Sequence, residues 1–439
     1  MNHKAVAVIG AGPAGLFAAK TLADNGMKVF LFNRDIRPGG LAEYGIYPEK
    51  YRLKTGLRKQ FMGFLLHENI LYFGNVDVGI DRDYSLSDLQ EMGFSAILVT
   101  TGAQQIKHLG LEGENLPRVY HAWEIVSNYN DLPPYSQQNY PIGKRVVIVG
   151  VGNVMADIAR YCINKGGVDE ILAVARRGPA EIKFHETEFV HIAQNLDRTD
   201  FEAEIKRVTP LMLKMGQDPN ETWAFVEKAC ENCDEIASST NLRLRFLKSP
   251  SRFIGNEKDG LQRVEFVENT LIKTNHTTRA EATSLKTIFE ADTVILAVGS
   301  SVDARVGLPV NKYEFSVSSF PEYPQEGLSY EVMDPVTEKN IPGIFVAGWS
   351  RLASYGLVGI SGRDGTRGAQ AALAYLQDHG KSVACEKIED HVRGAEKPVI
   401  DKTMVEELLS IEAEIAIQRG LPDYKYSTNK EMLSALGIR

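Results

Sequence analysis

The chain is poor in cysteine. Four residues in 439 (Cys162, Cys230, Cys233 and Cys385) are too few and too scattered for a disulfide framework, so a reducing, cytoplasmic setting is expected. The chain also lacks any apolar run near the roughly 18 residues that a membrane span requires, and its first strand, starting at about Ala5, leaves no room for a signal peptide. Surplus basic charge is missing as well. Lys and Arg number 49 against 57 Asp and Glu, and the net charge of −8 argues against nucleic acid or an anionic membrane as the principal partner. No metal site is read from the sequence. What is present, 44% hydrophobic and 24% charged residues, is the composition of an ordinary globular protein two or three domains long.

The organising stretch is Val6-Ala-Val-Ile-Gly10-Ala-Gly12-Pro-Ala14-Gly15-Leu-Phe-Ala-Ala-Lys20. A short apolar run that turns through three glycines into an alanine-rich helix is the entry of a dinucleotide-binding fold. Gly10 permits the tight turn, Gly12 lets the backbone approach a pyrophosphate, and Gly15 lets the helix pack close on the strand. The helix N-terminus then offers N–H groups and the positive end of its dipole to phosphate. The next strand, Lys28 to Phe32, should end in an acid that accepts hydrogen bonds from ribose hydroxyls. Asn33 stands there instead and can accept only through an uncharged amide oxygen.

From Arg34 to Pro48 the density of glycine and proline excludes a regular element and suits close backbone approach to a flat ligand. Residues 54 to 68 read as an amphipathic helix and Leu71 to Val78 as a strand. Ala96 to Ala103 reads as a buried strand ending in a small-residue turn at Gly102, where the chain crosses to a second domain. A second nucleotide unit begins at Lys144 and turns through Gly150 and Gly152, with Met155 in the third position, where its bulk keeps helix and strand apart. Its second strand, Glu170 to Ala175, runs into Arg176 and Arg177, where guanidinium groups would hold a 2′-phosphate; an acid there would select NAD. The pair therefore points to NADPH. Residues 185 to 238 form a polar, helical elaboration carrying Cys230-Glu-Asn-Cys233, which nothing in the sequence brings to a flavin and which reads as structural. Strands are expected at Arg243 to Leu247, Leu261 to Glu268 and Thr287 to Val298, with a crossing back at Gly299.

The closing motif is Ile344-Phe-Val-Ala-Gly348-Trp349, then Gly356-Leu-Val-Gly359-Ile360 and a small-residue helix to Leu376. A strand that ends at a glycine and a second turn that opens a helix can face a ligand with the helix N-terminus. The expected class is α/β, with two Rossmann-like dinucleotide-binding domains. A flavin domain of residues 1–104 and 302–439, the latter with a helical tail, is interrupted by an NADP-binding domain of residues 105–301.

Taken in order, the motifs resemble the adrenodoxin reductase family of NADPH–ferredoxin oxidoreductases. The resemblance is carried by Gly10 to Gly15, Gly39 to Pro48, Phe73 to Gly79, Gly150 to Asp157, Arg176 to Pro179, Arg245 to Pro250 and Gly348 to Gly359, almost the whole chain. It implies hydride transfer from NADPH to FAD and then single electrons to a ferredoxin or similar small iron–sulfur protein. By position it implies FAD contacts at Gly10, Gly12, Ala14, Gly15, Asn33, Gly40, Leu41, Val76, Gly102, Gly348, Trp349, Gly359 and Ile360. NADPH contacts are implied at Gly152, Asn153, Val154, Arg176, Arg177, Glu188 and Gly356. Two positions, Glu188 and Lys50, bear on catalysis. Glu188 falls where the family keeps a glutamate near the nicotinamide pocket, and Lys50 replaces a family histidine, where its charge would stabilise an anionic reduced flavin. Ser350 to Tyr355 replaces the family's lysine-arginine-glycine-proline-threonine run. Three other readings stand beside this one: a glutamate synthase small-subunit type, whose cysteine-rich cluster segment is not found ahead of the first strand here; a disulfide reductase using Cys230 and Cys233; and a flavin-binding subunit or sensor with little turnover.

Overall fold

Apolar runs that do not alternate are the mark of strands buried on both faces, and the first strand shows why. Val6 and Val8 enter one core and Ala5, Ala7 and Ile9 the other, and all five are buried. The computed structural model describes residues 2–233, 238–274 and 277–438. It divides into two units: one comprises the chain up to Ile106, Ser127–Gln137 and everything from Gly299 onward; the other comprises Lys107–Val126 and Gln138–Val298. Both are α/β and built on parallel sheets, and the second is inserted into the first.

In the first unit the sheet order is Glu331–Asp334, Lys339–Val346, Ala96–Val99, Asn2–Ile9, Lys28–Asn33 and Ile70–Gly74, parallel except for the first of these, with Ser382–Ala384 paired antiparallel to the start of the first strand. Val6 sits opposite Val29 on one side and Ala96 on the other, which brings the carboxyl ends of these strands to one edge. Helices Pro13–Asp24 and Val358–His379 cover one face. They meet so closely that a Cβ on Gly365 would lie 2.0 Å from the Ala14 carbonyl oxygen. Segment Ser127–Gln137 belongs to this unit through contacts such as Lys54 Nζ donating to Asn130 Oδ1 at 2.5 Å.

In the second unit five parallel strands lie in the order Val119–His121, Thr293–Leu296, Arg145–Val149, Glu170–Val174 and Asn241–Arg245. An antiparallel sheet of Lys248–Asn256, Gly260–Lys273 and Thr278–Glu290 packs Phe253, Leu261, Val264 and Phe266 onto Val147, Leu172 and Leu296 of the parallel one. No helix among the described residues is long and apolar enough to cross a membrane.

Four local expectations are corrected. The third strand is Ile70–Gly74 and stops where Asn75 takes a left-handed φ of 61°, turning the Val76 N–H back onto the Asn33 carbonyl. The loop from Arg34 to Pro48 holds a short helix, Leu41–Tyr44, started by positive φ at Gly39 and Gly40 and kept by the burial of Glu43 and Tyr44. Thr287 to Val298 is not one strand. It breaks at Ala291 and Asp292, whose N–H groups bond to Gln262 in the antiparallel sheet and Arg145 in the parallel one, handing the chain between sheets. The amphipathic helix is Tyr51–Leu65, earlier than expected at both ends.

Candidate functional site

In the first unit the turn after the first strand is fixed by its own glycines. Gly10 has φ +102°, and a Cβ there would lie 2.7 Å from the Thr100 carbonyl oxygen; a Cβ on Gly15 would lie 1.9 Å from the Gly10 oxygen. Gly12 differs. Its φ of −76° and ψ of −178° suit any residue, and no atom beyond its immediate chain neighbours lies within 4 Å of the place a Cβ would occupy. The protein itself does not need glycine there, whereas a pyrophosphate seated on the helix N-terminus would. The Gly39–Gly40 loop closes over this turn: the Gly39 N–H bonds to the Ala11 oxygen at 2.7 Å, and a Cβ on Gly40 would lie 3.1 Å from Gly12 Cα. Asn33 ties the two together from below. Its oxygen accepts from the Ala11 N–H at 3.0 Å, and its NH₂ faces the Asp35 and Arg37 carbonyls and the Tyr72 hydroxyl at 2.8, 3.1 and 3.1 Å. Both ends of this amide are thus engaged within the chain, and an aspartate could not donate these bonds.

Beneath the loop lies a buried charge cage. Arg58 makes a two-pronged ion pair with Glu43, at 2.7 Å on each oxygen, and also reaches Asp423; Lys425 reaches Glu43 at 3.1 Å and Arg37 pairs with Glu412. Burial opposes ionisation of the Glu43 carboxyl, but Lys425 and Arg58 hold it well below the usual range. Lys54, 3% exposed, has its ammonium pushed down to about 7, by burial first and then by Lys425. Arg37–Glu412 and Arg58–Asp423 join residues from opposite ends of the chain, so the loop is anchored by the C-terminal segment.

The closing turn is locked by a residue the sequence reading passed over. Asp364, inside helix Val358–His379, accepts the Gly348 N–H at 2.7 Å, the Arg351 guanidinium at 2.5 and 3.2 Å and the Tyr330 hydroxyl at 3.0 Å. Arg351 lies over the Tyr330 ring at 4.7 Å, and Ser350, fully buried, accepts the Gly102 N–H at 2.9 Å. Gly348 itself sits at φ +66°, where a Cβ would strike Ala14 Cβ at 2.6 Å. The Trp349 indole N–H is spent on the Tyr355 and Gly356 carbonyls, which sets its ring. Gly359, in the first turn of the helix, likewise has no atom from outside its own helix turn within 4 Å of its Cβ position, and Ile360 beside it is exposed. The structure thus gathers Gly10, Gly12, Ala14, Gly15, Gly40, Gly102 and Gly348 around one edge of this sheet. Leu41 follows Gly40, and Val76 is buried in the core behind the sheet. Lys50 ends the short 3₁₀ turn Pro48–Lys50, half-buried.

In the second unit Gly150 has φ +118°, with the Ala297 oxygen 2.3 Å from its Cβ position, while Gly152, capping helix Asn153–Lys165, faces open space. Met155 is fully buried in the core. Asn153 Oδ1 accepts the His185 N–H at 2.8 Å, and Val154 is exposed. The two arginines part company here. Arg177 pairs with Glu181 at 2.5 Å and reaches the Thr278 carbonyl, whereas the Arg176 side chain is exposed at the strand end. Glu188 is half-buried on the short helix Glu186–Phe189. All four thiols are free. Cys233 donates to Gln194 Oε1 at 3.2 Å, and burial pushes the Cys230 thiol up, away from the thiolate that disulfide exchange needs.

Residues 4–348 match the pyridine nucleotide-disulphide oxidoreductase family. NADPH-ferredoxin reductase FprA of Mycobacterium tuberculosis is 25% identical over 428 residues, covering 88% of this chain and 87% of that protein. The mitochondrial NADPH:adrenodoxin oxidoreductase of Mus musculus is 27% identical over 414 residues, covering 85% and 78%. The solved structure of Mycobacterium tuberculosis FprA in complex with NADPH superposes with a TM-score of 0.83 at 21% identity over 99% of both chains, a likeness of fold.

Proposed function

The chain belongs to the pyridine nucleotide-disulphide oxidoreductase family, and from that premise we propose that it is an FAD-dependent reductase that takes hydride from NADPH and hands single electrons to a ferredoxin-type iron–sulfur protein. The observation that carries this reading is the pair of strand–glycine–helix turns, each with a glycine at its helix N-terminus that the chain's own atoms do not require. Relatives named as NADPH-ferredoxin and adrenodoxin reductases support the choice of electron acceptor. When bound, FAD supplies the redox step, accepting hydride and releasing electrons singly.

The chain's residues bind, orient and shield. On the flavin side the N–H groups that open helix Pro13–Asp24 receive the pyrophosphate at Gly12, Ala14 and Gly15. The Gly40–Leu41 loop covers it, Asn33 acts through the turn it ties, and Val76 backs the adenosine end. Gly348, Trp349, Gly359 and Ile360 present the closing turn, with Gly102 beside it, to the ring system. On the NADPH side Gly152, Asn153 and Val154 would receive the pyrophosphate, Glu188 would serve the nicotinamide end, and Arg176 would take the 2′-phosphate. Arg177, held by Glu181, serves as its scaffold. Lys50 would place a positive charge toward a bound flavin. Hydride transfer would require the donor carbon of NADPH and the acceptor nitrogen of the flavin to be held about 3–3.5 Å apart. Four free thiols fit a reducing, cytoplasmic setting.

Anaerobic mixing of the yellow protein with NADPH or NADH tests the reading. Fast flavin bleaching by NADPH, slow bleaching by NADH, and subsequent ferredoxin reduction that weakens as salt rises are expected. Absence of bleaching by either nucleotide would overturn it in favour of a structural or sensory flavin.

A further inference from the structure

The second unit carries a cluster that the nucleotide chemistry does not use. His108 Nδ1 lies 3.5 Å and His121 Nε2 3.7 Å from the same carboxylate oxygen, Oε1 of Glu114, and ligand atoms of all three residues lie within 4.8 Å of one another. We propose that His108, Glu114 and His121 form a site for a divalent first-row transition metal, zinc foremost, independent of the FAD and NADPH reading.

Three features carry this. The separations are too long for direct hydrogen bonds, yet they lie within a few tenths of an ångström of the roughly 3.4 Å edge of a tetrahedron with bonds of about 2.0–2.1 Å. Two imidazoles and a carboxylate are a donor set that zinc and its neighbours take readily, with water in the fourth position. The carboxylate is also held in place before any ion arrives. The Leu109, Gly110 and Leu111 N–H groups all converge on Oε2 of Glu114, at 3.1, 2.7 and 3.2 Å, and the Leu109 N–H is shared with Oε1 at 2.9 Å. Oε1 takes only the Leu109 N–H and keeps capacity for a metal.

The remaining ligands suit entry from one side. His121 is buried at the end of strand Val119–His121, and its backbone N–H is fixed by Glu124 Oε2 at 2.8 Å. The His108 side chain is 66% exposed, so solvent and an incoming ion reach the cluster past it. A bound ion would staple the start of this segment to the strand that ends it, restraining the loop between them within the second unit.

Calorimetric titration of Zn²⁺, and Co²⁺ as a spectroscopic probe, into chelator-treated, tag-free, FAD-loaded protein tests the proposal. One ion per chain is expected, with a rise in melting temperature. The exposed position of His108 makes His108→Ala safe for folding, and this variant should bind about tenfold or more weakly and lose the thermal shift. His121→Gln should do the same, while Cys230→Ser/Cys233→Ser should bind as the parent does. No binding by the parent overturns the proposal. So does binding unchanged in both histidine variants, which would place the ion elsewhere.

Discussion

Replacing Gly12 by alanine separates what the fold needs from what a ligand needs. At this helix cap the new methyl meets nothing within 4 Å, and φ of −76° is open to any residue. The apoprotein should therefore lose under about 1 kcal/mol, the difference between glycine and alanine as caps. The methyl does occupy the space over the N–H groups of helix Pro13–Asp24. Displacing a pyrophosphate from one charge-assisted hydrogen bond costs about 1.5–3 kcal/mol, or roughly 10- to 150-fold in affinity. Gly15→Ala is the control, because its Cβ falls 1.9 Å from the Gly10 oxygen and 2.6 Å from Thr100 Oγ1, so helix and strand must part. That overpacking costs about 3 kcal/mol with or without ligand. Urea unfolding of the stripped protein and titration with FAD, followed by flavin fluorescence quenching, read the two effects separately. The expected pattern is an intact apoprotein with weakened FAD binding for Gly12→Ala, and a loss in both for Gly15→Ala. Parental FAD affinity in Gly12→Ala, or an apoprotein as unstable as Gly15→Ala, refutes the reasoning.

Lys54→Met should stabilise the protein at pH 6, and the gain should fade by about pH 10. The lysine titrates near 7 in the fold and near 10.4 when unfolded, so the unfolded chain holds the extra proton between those values and parental stability rises with pH by up to ~1.4 kcal/mol per unit there. Equal stability differences at pH 6 and 10 in urea unfolding would contradict this. Arg176→Ala should raise KM for NADPH about 10- to 100-fold, the loss of a charge-assisted pair, and leave KM for NADH unmoved. Arg177→Ala should instead lower the melting temperature, since Glu181 loses its ion-pair partner and keeps only neutral donors, and a NADPH-specific defect confined to Arg177→Ala would reverse the assignment. Asn33→Asp removes the donor that faces the Asp35 and Arg37 carbonyls, costing about 2 kcal/mol or more at pH 7. Part of that loss should return on acidification, which protonates the new carboxyl, and unfolding curves that do not shift with pH would count against it.

The strands and glycine turns were legible because their signals are local: an apolar run, a glycine at a fixed offset, a helix after it. That is why the order of the two nucleotide folds, and the return of the chain to the first, could be read from residues alone. What escaped reading lies in pairs far apart in the chain. Nothing near Glu43 announces Lys425, nor anything near Arg37 Glu412, since a charged residue in sequence looks solvated until its partner is placed. Asp364 hid among small helical residues because its partners, Gly348, Arg351 and Tyr330, are defined by packing. Arg176 and Arg177 look alike as neighbours, and only Glu181 tells them apart. The handover at Ala291 and Asp292 carries no glycine or proline, so two strands read as one.

The strand pairing of Lys339–Val346 with Ala96–Val99 bears on how the molecule is made. A ribosome delivers Ala96–Val99 first, then the entire inserted unit, and only afterwards the neighbour that covers this edge. The inserted unit is continuous apart from its short opening segment, so it can fold while the earlier strands still wait, and Glu412, Asp423 and Lys425 arrive later still to anchor the loop around Arg37 and Glu43. Completion of the first unit thereby waits for the close of synthesis. A product released early would carry one finished nucleotide fold beside a sheet with a bare edge, the kind of surface that chaperones and proteases recognise.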